Sequence, residues 1–335
     1  MAVVAGIDEA GYGPFLGPLV VSAVALEVPD DAAGDDLWTR LANVVSRSPR
    51  DADRLPVDDS KRLFTQSRGV RHIERTALAF AAASPKPPDD TQRRNHSAGN
   101  WIQSSTVPGT FRSLLEGVAV LSEELAAYPW HQGTDLPLPL AADPQRLGSD
   151  AQRLRSHNGM RFLGARCLPV LVSEFNRLVA AHGTKSATLF LKTARLLTWL
   201  WNAWGDRGLI VYVDKHGGRN RYEHLLYEAI FGATVRVVAE GASESIYTVT
   251  DGTRRMTIGF YEGGDSRHLP VALASIFSKY LRELFMHSFN AWWCERLPGL
   301  KPTAGYAADA RRFLRDTAEA RRRLGIPDSL LIRNL

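Results

Sequence analysis

Short apolar runs broken by glycine alternate with longer amphipathic segments along this chain, and the two periods together predict an α/β fold. Ala2–Ile7, small and apolar throughout, reads as a short buried strand, and Leu19–Val28, rich in Val and Ala, follows closely enough to form a hairpin with it. Leu37–Val45 is amphipathic between acidic and polar stretches, and Gly69–Ala83 carries apolar residues at helical spacing. Phe162–Val172 predicts another strand. Ser173–Ala181 and Ser186–Trp204 predict helices, with Trp199, Trp201 and Trp204 as core residues rather than base-stacking platforms. Gly208–Lys215 is an apolar, β-branched strand pattern, residues 220–231 are helical in pattern, and Thr234–Val238, Ile246–Thr250 and Thr257–Tyr261 are short strand patterns. A long helix is expected from His268 to about Trp293.

The pattern lapses between about residues 84 and 158. Pro85, Pro87 and Pro88, a basic polar run around Arg93 and Arg94, and a second Pro-rich stretch near Pro137 and Pro139 mark an insertion. Within it, Thr110–Tyr128 predicts an amphipathic helix, so the insertion is expected to be partly folded.

Four strand ends and turns carry acids beside glycine. Asp8 and Glu9 close the first strand before Gly11 and Gly13, Asp214 closes Gly208–Lys215 before Gly217, and Asp265 follows Gly263 and Gly264 ahead of the long helix. Successive strand residues point to opposite faces, so Asp8 and Glu9 serve one site only where the strand is ending. Each acid alone reads equally as a solvated turn residue. Together Asp8, Glu9, Asp214 and Asp265 suggest a two-metal site, in which Mg2+ or Mn2+ neutralises clustered oxygen ligands and water is the nucleophile for phosphodiester hydrolysis. No G-x-S-x-G, H-E-x-x-H or Walker A pattern offers another chemistry. Ser60-Lys61, beside Asp58 and Asp59, reads locally as a helix cap with its solvated turn.

Composition alters this picture little. The 335 residues suffice for a sizeable core, and 44% hydrophobic with 23% charged content is ordinary for a globular protein. The net charge of +5 is mild support for a polyanionic partner. Cys167 and Cys294 are far apart and have no C-x-x-C neighbours, which argues against a disulfide framework or a cysteine zinc site. No apolar run approaches bilayer length and none opens the chain as a leader, so a soluble cytoplasmic protein without a membrane partner is expected.

With these residues in place, the chain resembles the type 2 ribonucleases H, the ribonuclease HII-like family. The opening GIDEAGYGPFLGPLVVSAV, the segment Asp59-Ser60-Lys61-Arg62-Leu63, the strand Val211–Asp214, Gly264-Asp265-Ser266 with Ala272–Arg282 (ALASIFSKYLR), and Gly305-Tyr306 are similar to that family's ordered blocks. The middle insertion lies outside the resemblance. The resemblance implies a ribonuclease H-like mixed five-stranded sheet flanked by helices. It implies one catalytic domain over residues 1–335, with the insertion at about 84–158 and a C-terminal helical segment at about 295–335. The implied activity is endonucleolytic cleavage of the RNA strand in RNA·DNA hybrids, or at ribonucleotides embedded in DNA. Asp8, Glu9, Asp214 and Asp265 would be catalytic metal ligands, for two ions once substrate is bound. Gly11, Tyr12, Gly13, Ser60, Lys61, Lys279, Arg282 and Tyr306 would bind the substrate, some of them reading the ribose 2′-OH, and the protein would act as a monomer.

The chain departs from the family at several positions. Tyr12 stands where the family's GRG turn has Arg, removing a positive charge and five donors. Lys215 replaces a Gly after the strand acid, Glu283 replaces an Asp after Arg282, and Ala307-Ala308 replace residues after the tyrosine. Two alternatives therefore stay open: a nuclease for a different structured nucleic acid, and a nucleic-acid-binding protein that keeps the fold without turnover.

Overall fold

The computed structural model describes residues 1–34, 36–84, 106–133 and 135–334. Its centre is a mixed sheet of seven strands built from β1 (Ala2–Ala10), β2 (Leu19–Val28), β5 (Arg161–Val170), β6 (Leu209–Asp214), β7 (Thr234–Glu240), β8 (Glu244–Thr250) and β9 (Arg255–Tyr261). They lie in the order β5-β2-β1-β6-β9-β8-β7, and β3 (Val45–Ser46) and β4 (Leu55–Pro56) form a separate two-stranded pair. The mixed sheet flanked by helices is as expected. Its count differs from the five strands implied by the resemblance, because every strand pattern in the sequence joins the same sheet, including the β7–β8–β9 meander.

Within the sheet, β1 runs antiparallel to β2 and parallel to β6, and β6 runs parallel to β9. The apolar run of β1 is buried on both faces, whereas in β6 Leu209, Val211 and Val213 are buried and the alternate Ile210, Tyr212 and Asp214 are half-buried. Alternate residues of β1 divide between two cores. Ala2 and Val4 pack with the helix Leu269–Arg296, the helix Arg71–Ala83 and the inserted segment, while Val3, Ala5 and Ile7 pack with the helix Lys185–Trp204. Trp199, Trp201 and Trp204 are buried in the second core.

The long helix sits unusually close to β1. A Cβ on Gly6 would stand 2.1 Å from the carbonyl carbon of Pro270 and 2.3 Å from the nitrogen of Val271. Only a glycine permits that approach, and it brings the helix's Ser275 and Ser278 up to the end of β1.

Of the insertion, residues 85–105, with Pro85, Pro87, Pro88, Arg93 and Arg94, lie outside the described residues. The described part is folded. Leu147, Ala151 and Leu154 of the helix Pro144–Arg155 are buried, and Leu147 and Leu154 join the first core beside the helix Arg71–Ala83. The fully buried Glu74 carboxylate accepts the amides of Leu140, Ala141 and Ala142, each at 2.7 Å, and the Tyr280 hydroxyl at 2.8 Å. The helix predicted over Thr110–Tyr128 covers only Phe111–Val118. Beyond it Ala119 bridges Cys167 of β5, and Val120 donates to the Cys167 carbonyl at 2.9 Å, so sheet pairing outcompetes the helix before a 3-10 turn at Glu123–Ala127. Likewise Leu37–Val45 makes a single helical turn, Leu37–Arg40, before Val45 enters β3. The C-terminal segment forms the helices Ala307–Asp316 and Ala318–Arg323. Among the described residues, no helix is long and apolar enough to cross a membrane.

Candidate active site

The parallel register of β1 and β6 pairs Ile7 with Val213, which puts Asp8 and Asp214 side by side at the ends of adjacent strands. Strand β9 ends beside Asp214, at Tyr261, and hands the chain to Glu262 and Gly263, whose φ of +61° turns it into the short helix Gly264–Arg267 carrying Asp265. The backbone N–H of Gly264 donates to Asp214 Oδ1 at 2.8 Å, fixing this turn against β6. The acids thus converge at the carboxyl ends of parallel strands, where open α/β sheets characteristically place ligands.

Strand β1 continues to Ala10, past the apolar run that the sequence marks. Asp8 and Glu9 are therefore still paired with Ser22 and Val21 of β2, and pleating sends them to opposite sides. Asp8 faces the long helix, where the Ser275 hydroxyl hydrogen-bonds its carboxylate, and Ser278 Oγ lies 3.1 Å from its carbonyl oxygen and 2.8 Å from Ser22 Oγ. The Glu9 amide donates to Asp8 Oδ1 at 2.7 Å.

Burial raises all four carboxyl groups, and neighbouring acids add to it. Asp8 lies well above the usual carboxylate range because it is buried and because Glu9 and Asp214 are close. Glu9 is pushed up to about 7 by burial and then by Asp214, and Asp265 to about 6 by burial, Asp59 and Asp214. Asp214 is raised mainly by burial, against the Gly264 N–H and the Lys61 charge. Burial alone would depress the Lys61 ammonium, but Asp59, Asp265, Asp8 and Asp214 together raise it. Lys61 is thus a counter-charge within an acidic cluster that also includes Asp59.

Among the described residues, no group of three or more His, Cys, Asp or Glu side chains is arranged as a closed metal cage. Asp8 and Asp214 instead accept protein N–H groups. The donor set nonetheless fits a hard dication: it is all carboxylate, and its mutual repulsion is what such an ion relieves. Mg2+ is commonly held by only one or two carboxylates, with water and substrate phosphate completing the shell. Asp8, Glu9, Asp214 and Asp265 are the residues able to hold it.

The other sequence candidates fall in three places. Lys61 follows Asp59, which is the true cap of the helix Ser60–Leu63 and accepts the Lys61 amide at 2.8 Å. Ser60 is buried and meets Ser275 Oγ at 3.0 Å, bracing this segment against the long helix. Arg47 ties the same segment to the Asp265 turn, donating to Asp58 Oδ1 and, at 3.0 Å, to the Ser266 carbonyl. Beside the acids lies the Gly11–Tyr12–Gly13 turn, where Gly11 has φ +85° and a Cβ would stand 2.5 Å from Arg282 Nε. Arg282 is 1% exposed, donates to the Ala304 carbonyl at 2.9 Å and lies 5.7 Å from the Tyr306 ring. Its place is beneath the turn, supporting the half-exposed Tyr306. Lys279 is ion-paired with Glu283 at 2.6 Å and lies over the Phe64 ring. Lys215 turns away from the cluster to Asn220 Oδ1 and the Gly241 carbonyl.

Sequence reasoning did not single out Asp59 or Ser275 as site residues. Asp59 sits next to the Ser60-Lys61 pair, and Ser275 lies within the ALASIFSKYLR stretch, so adjacency is the available signal.

No family model matches the chain. It is 38% identical over 160 residues to a ribonuclease HII of Chelativorans sp. (strain BNC1), covering 47% of this chain and 49% of that one. It is 32% identical over 111 residues to a ribonuclease HII of Xanthobacter autotrophicus, covering 32% of this chain and 35% of that one. The match therefore spans about half, or less, of these relatives' length. Among solved structures, a chain of the PCNA:RNase HII complex from Archaeoglobus fulgidus superposes with TM-score 0.40 at 17% identity, covering 99% of this chain and 93% of that one. The ribonuclease H2 of Pyrococcus horikoshii OT3 gives TM-score 0.41 at 15% identity, covering 98% and 92%. These superpositions add nothing to the strand pairing described above. Over the matched part, the chain is similar in sequence to ribonucleases HII.

Proposed function

We propose that the chain is a divalent-metal-dependent endonuclease that hydrolyses the RNA strand of RNA·DNA hybrids or cuts at ribonucleotides embedded in DNA. The observation that carries this reading is the convergence of Asp8, Asp214 and Asp265, with Glu9, at the ends of three adjacent parallel strands, each carboxyl raised by burial among the others. Gathering buried like charges is costly unless a cation is held there. When bound, Mg2+ or Mn2+ supplies charge neutralisation, a water activated for attack and stabilisation of the leaving oxygen. The protein's part is to hold the four carboxylates ionised and oriented. Ser275 fixes the Asp8 carboxylate, the Gly264 amide fixes Asp214, and Lys61 lowers the repulsion among them. Glycine amides of the Gly11–Tyr12–Gly13 turn and the hydroxyl of the half-exposed Tyr306 are the groups offered to a ribose 2′-OH, the feature that separates RNA from DNA.

The test is a cleavage panel with either metal on RNA·DNA hybrid, DNA duplex with one embedded ribonucleotide, double-stranded RNA and plain DNA. Cleavage of the first two, abolished by Asp8→Asn, is expected. Preference for double-stranded RNA would favour a nuclease for another nucleic acid, and metal-dependent binding without scission would favour a non-catalytic binder.

A further inference from the structure

Resting on that reading, the geometry points to a second phosphate-contacting subsite on the Glu9 side of the acidic cluster, formed by Tyr12, Lys185, Ser186 and Arg219. These residues come from three segments remote in sequence: the turn after β1, the first turn of the helix Lys185–Trp204, and the loop that follows Asp214 at the end of β6. The Lys185 ammonium lies 4.8 Å from the centre of the Tyr12 ring. Arg219 donates to Ser186 Oγ at 3.3 Å, and the Tyr12 hydroxyl is hydrogen-bonded to the same Ser186. Arg219 also keeps a buried Nε–H without a partner.

Three features assign this cluster to a nucleic-acid phosphate. First, the acids that would hold metal repel a polyanionic strand, and Lys61 is a single counter-charge shared among Asp59, Asp265, Asp8, Asp214 and Glu9. Pleating turns Glu9 to the opposite side of β1 from Asp8, and it is the carboxylate whose charge reaches Tyr12. A strand passing there needs its own counter-charges, and Lys185 and Arg219 are placed to supply them. Second, among the described residues neither cation is consumed by an ion pair, whereas Lys279 is locked to Glu283 and Lys215 to Asn220 and Gly241. Third, all four side chains are half-buried rather than sealed, so they are ordered yet reachable. Tyr12 thus gives the turn no charge of its own but an aromatic face on which Lys185 rests, and the charge comes from neighbouring elements.

The experiment measures binding of an RNA·DNA hybrid in chelator, where nothing is cut, as a function of salt. Each phosphate contact contributes about one unit to the slope of log affinity against log salt. Lys185→Ala and Arg219→Ala are each expected to weaken binding and flatten the slope by about one unit, and the pair by about two. Lys185→Arg and Lys301→Ala, the latter an exposed lysine outside the cluster, should leave it unchanged. Melting curves confirm that each variant is folded. If the native protein cuts hybrid while the Ala variants keep its affinity and slope, the subsite is overturned and the activity stands. If it cuts nothing but the slope flattens as expected, the subsite stands and the activity falls. Millimolar inorganic phosphate should compete no better than chloride of equal ionic strength. Specific competition that is lost in the double variant would make this a free-phosphate site and overturn the strand assignment.

Discussion

Replacing Glu9 by Gln separates the cost of gathering the acids from their use. The Glu9 carboxyl is pushed from an ordinary 4.5 to about 7, first by burial and next by Asp214, with Lys61 acting the other way. The folded chain therefore keeps this proton at pH values where the unfolded chain has released it. Stability falls as pH rises from about 4.5 to about 7, and the loss persists at higher pH. At about 1.36 kcal/mol per unit, the ionised carboxylate costs about 3 kcal/mol, a large share of the roughly 5–15 kcal/mol by which domains are stable. Glutamine keeps the shape and carries no charge. In urea titrations with chelator, E9Q and the native protein should unfold with similar free energies at about pH 4, and at about pH 8 E9Q should be more stable by about 3 kcal/mol. Mg2+ or Mn2+ should narrow that gap by stabilising the native protein more than E9Q, and E9Q should lose cleavage. A gap between the two proteins that is the same at both pH values would refute the reasoning.

Other outcomes test the frame around the site. At a hundredfold excess over its dissociation constant, Mg2+ or Mn2+ should stabilise the native protein by about 2.7 kcal/mol and leave an Asp8→Asn, Asp214→Asn double variant unmoved in calorimetry; an equal shift in both would remove these acids from the metal site. Gly6→Ala drives a methyl into the Pro270–Val271 backbone, so thermal melts should show a loss of about 2 kcal/mol or more together with lost cleavage, and a neutral result would contradict the close helix–strand contact. Glu74→Ala strands the buried Ala142 amide and the buried Tyr280 hydroxyl and releases the Leu140 and Ala141 amides, which should cost about 3 kcal/mol in urea; a cost below about 1 kcal/mol would show that the inserted segment is held by other means.

The strands and the acids at their ends were legible because both signals are local. Val and Ala runs such as Leu19–Val28 and terminal acids such as Asp214 can be read without knowing what lies beside them. What escaped was decided by partners distant in sequence. Cys167 captures Ala119 and Val120 and ends a helix whose amphipathic pattern continues to Tyr128. Arg282 and Lys279 share a helix, a charge and a partner in Glu283, yet one lies sealed under Gly11 against the 304–306 loop and the other half-buried over the Phe64 ring. Asp59 was hidden by its neighbour: Ser60 looks like the cap, and the side chain doing the capping is the acid before it.

The strand order also bears on the kinetics of folding. The β1–β2 hairpin and the β7–β8–β9 meander join neighbours in the chain, but the pairing of β1 with β6, which brings Asp8 beside Asp214, closes a loop of about two hundred residues and is costly to form early. The repulsion among the acids arises only once that pairing is complete. It should weigh on the native state far more than on the folding transition state, so neutralising an acid, or binding a dication, should slow unfolding while leaving the folding rate nearly unchanged.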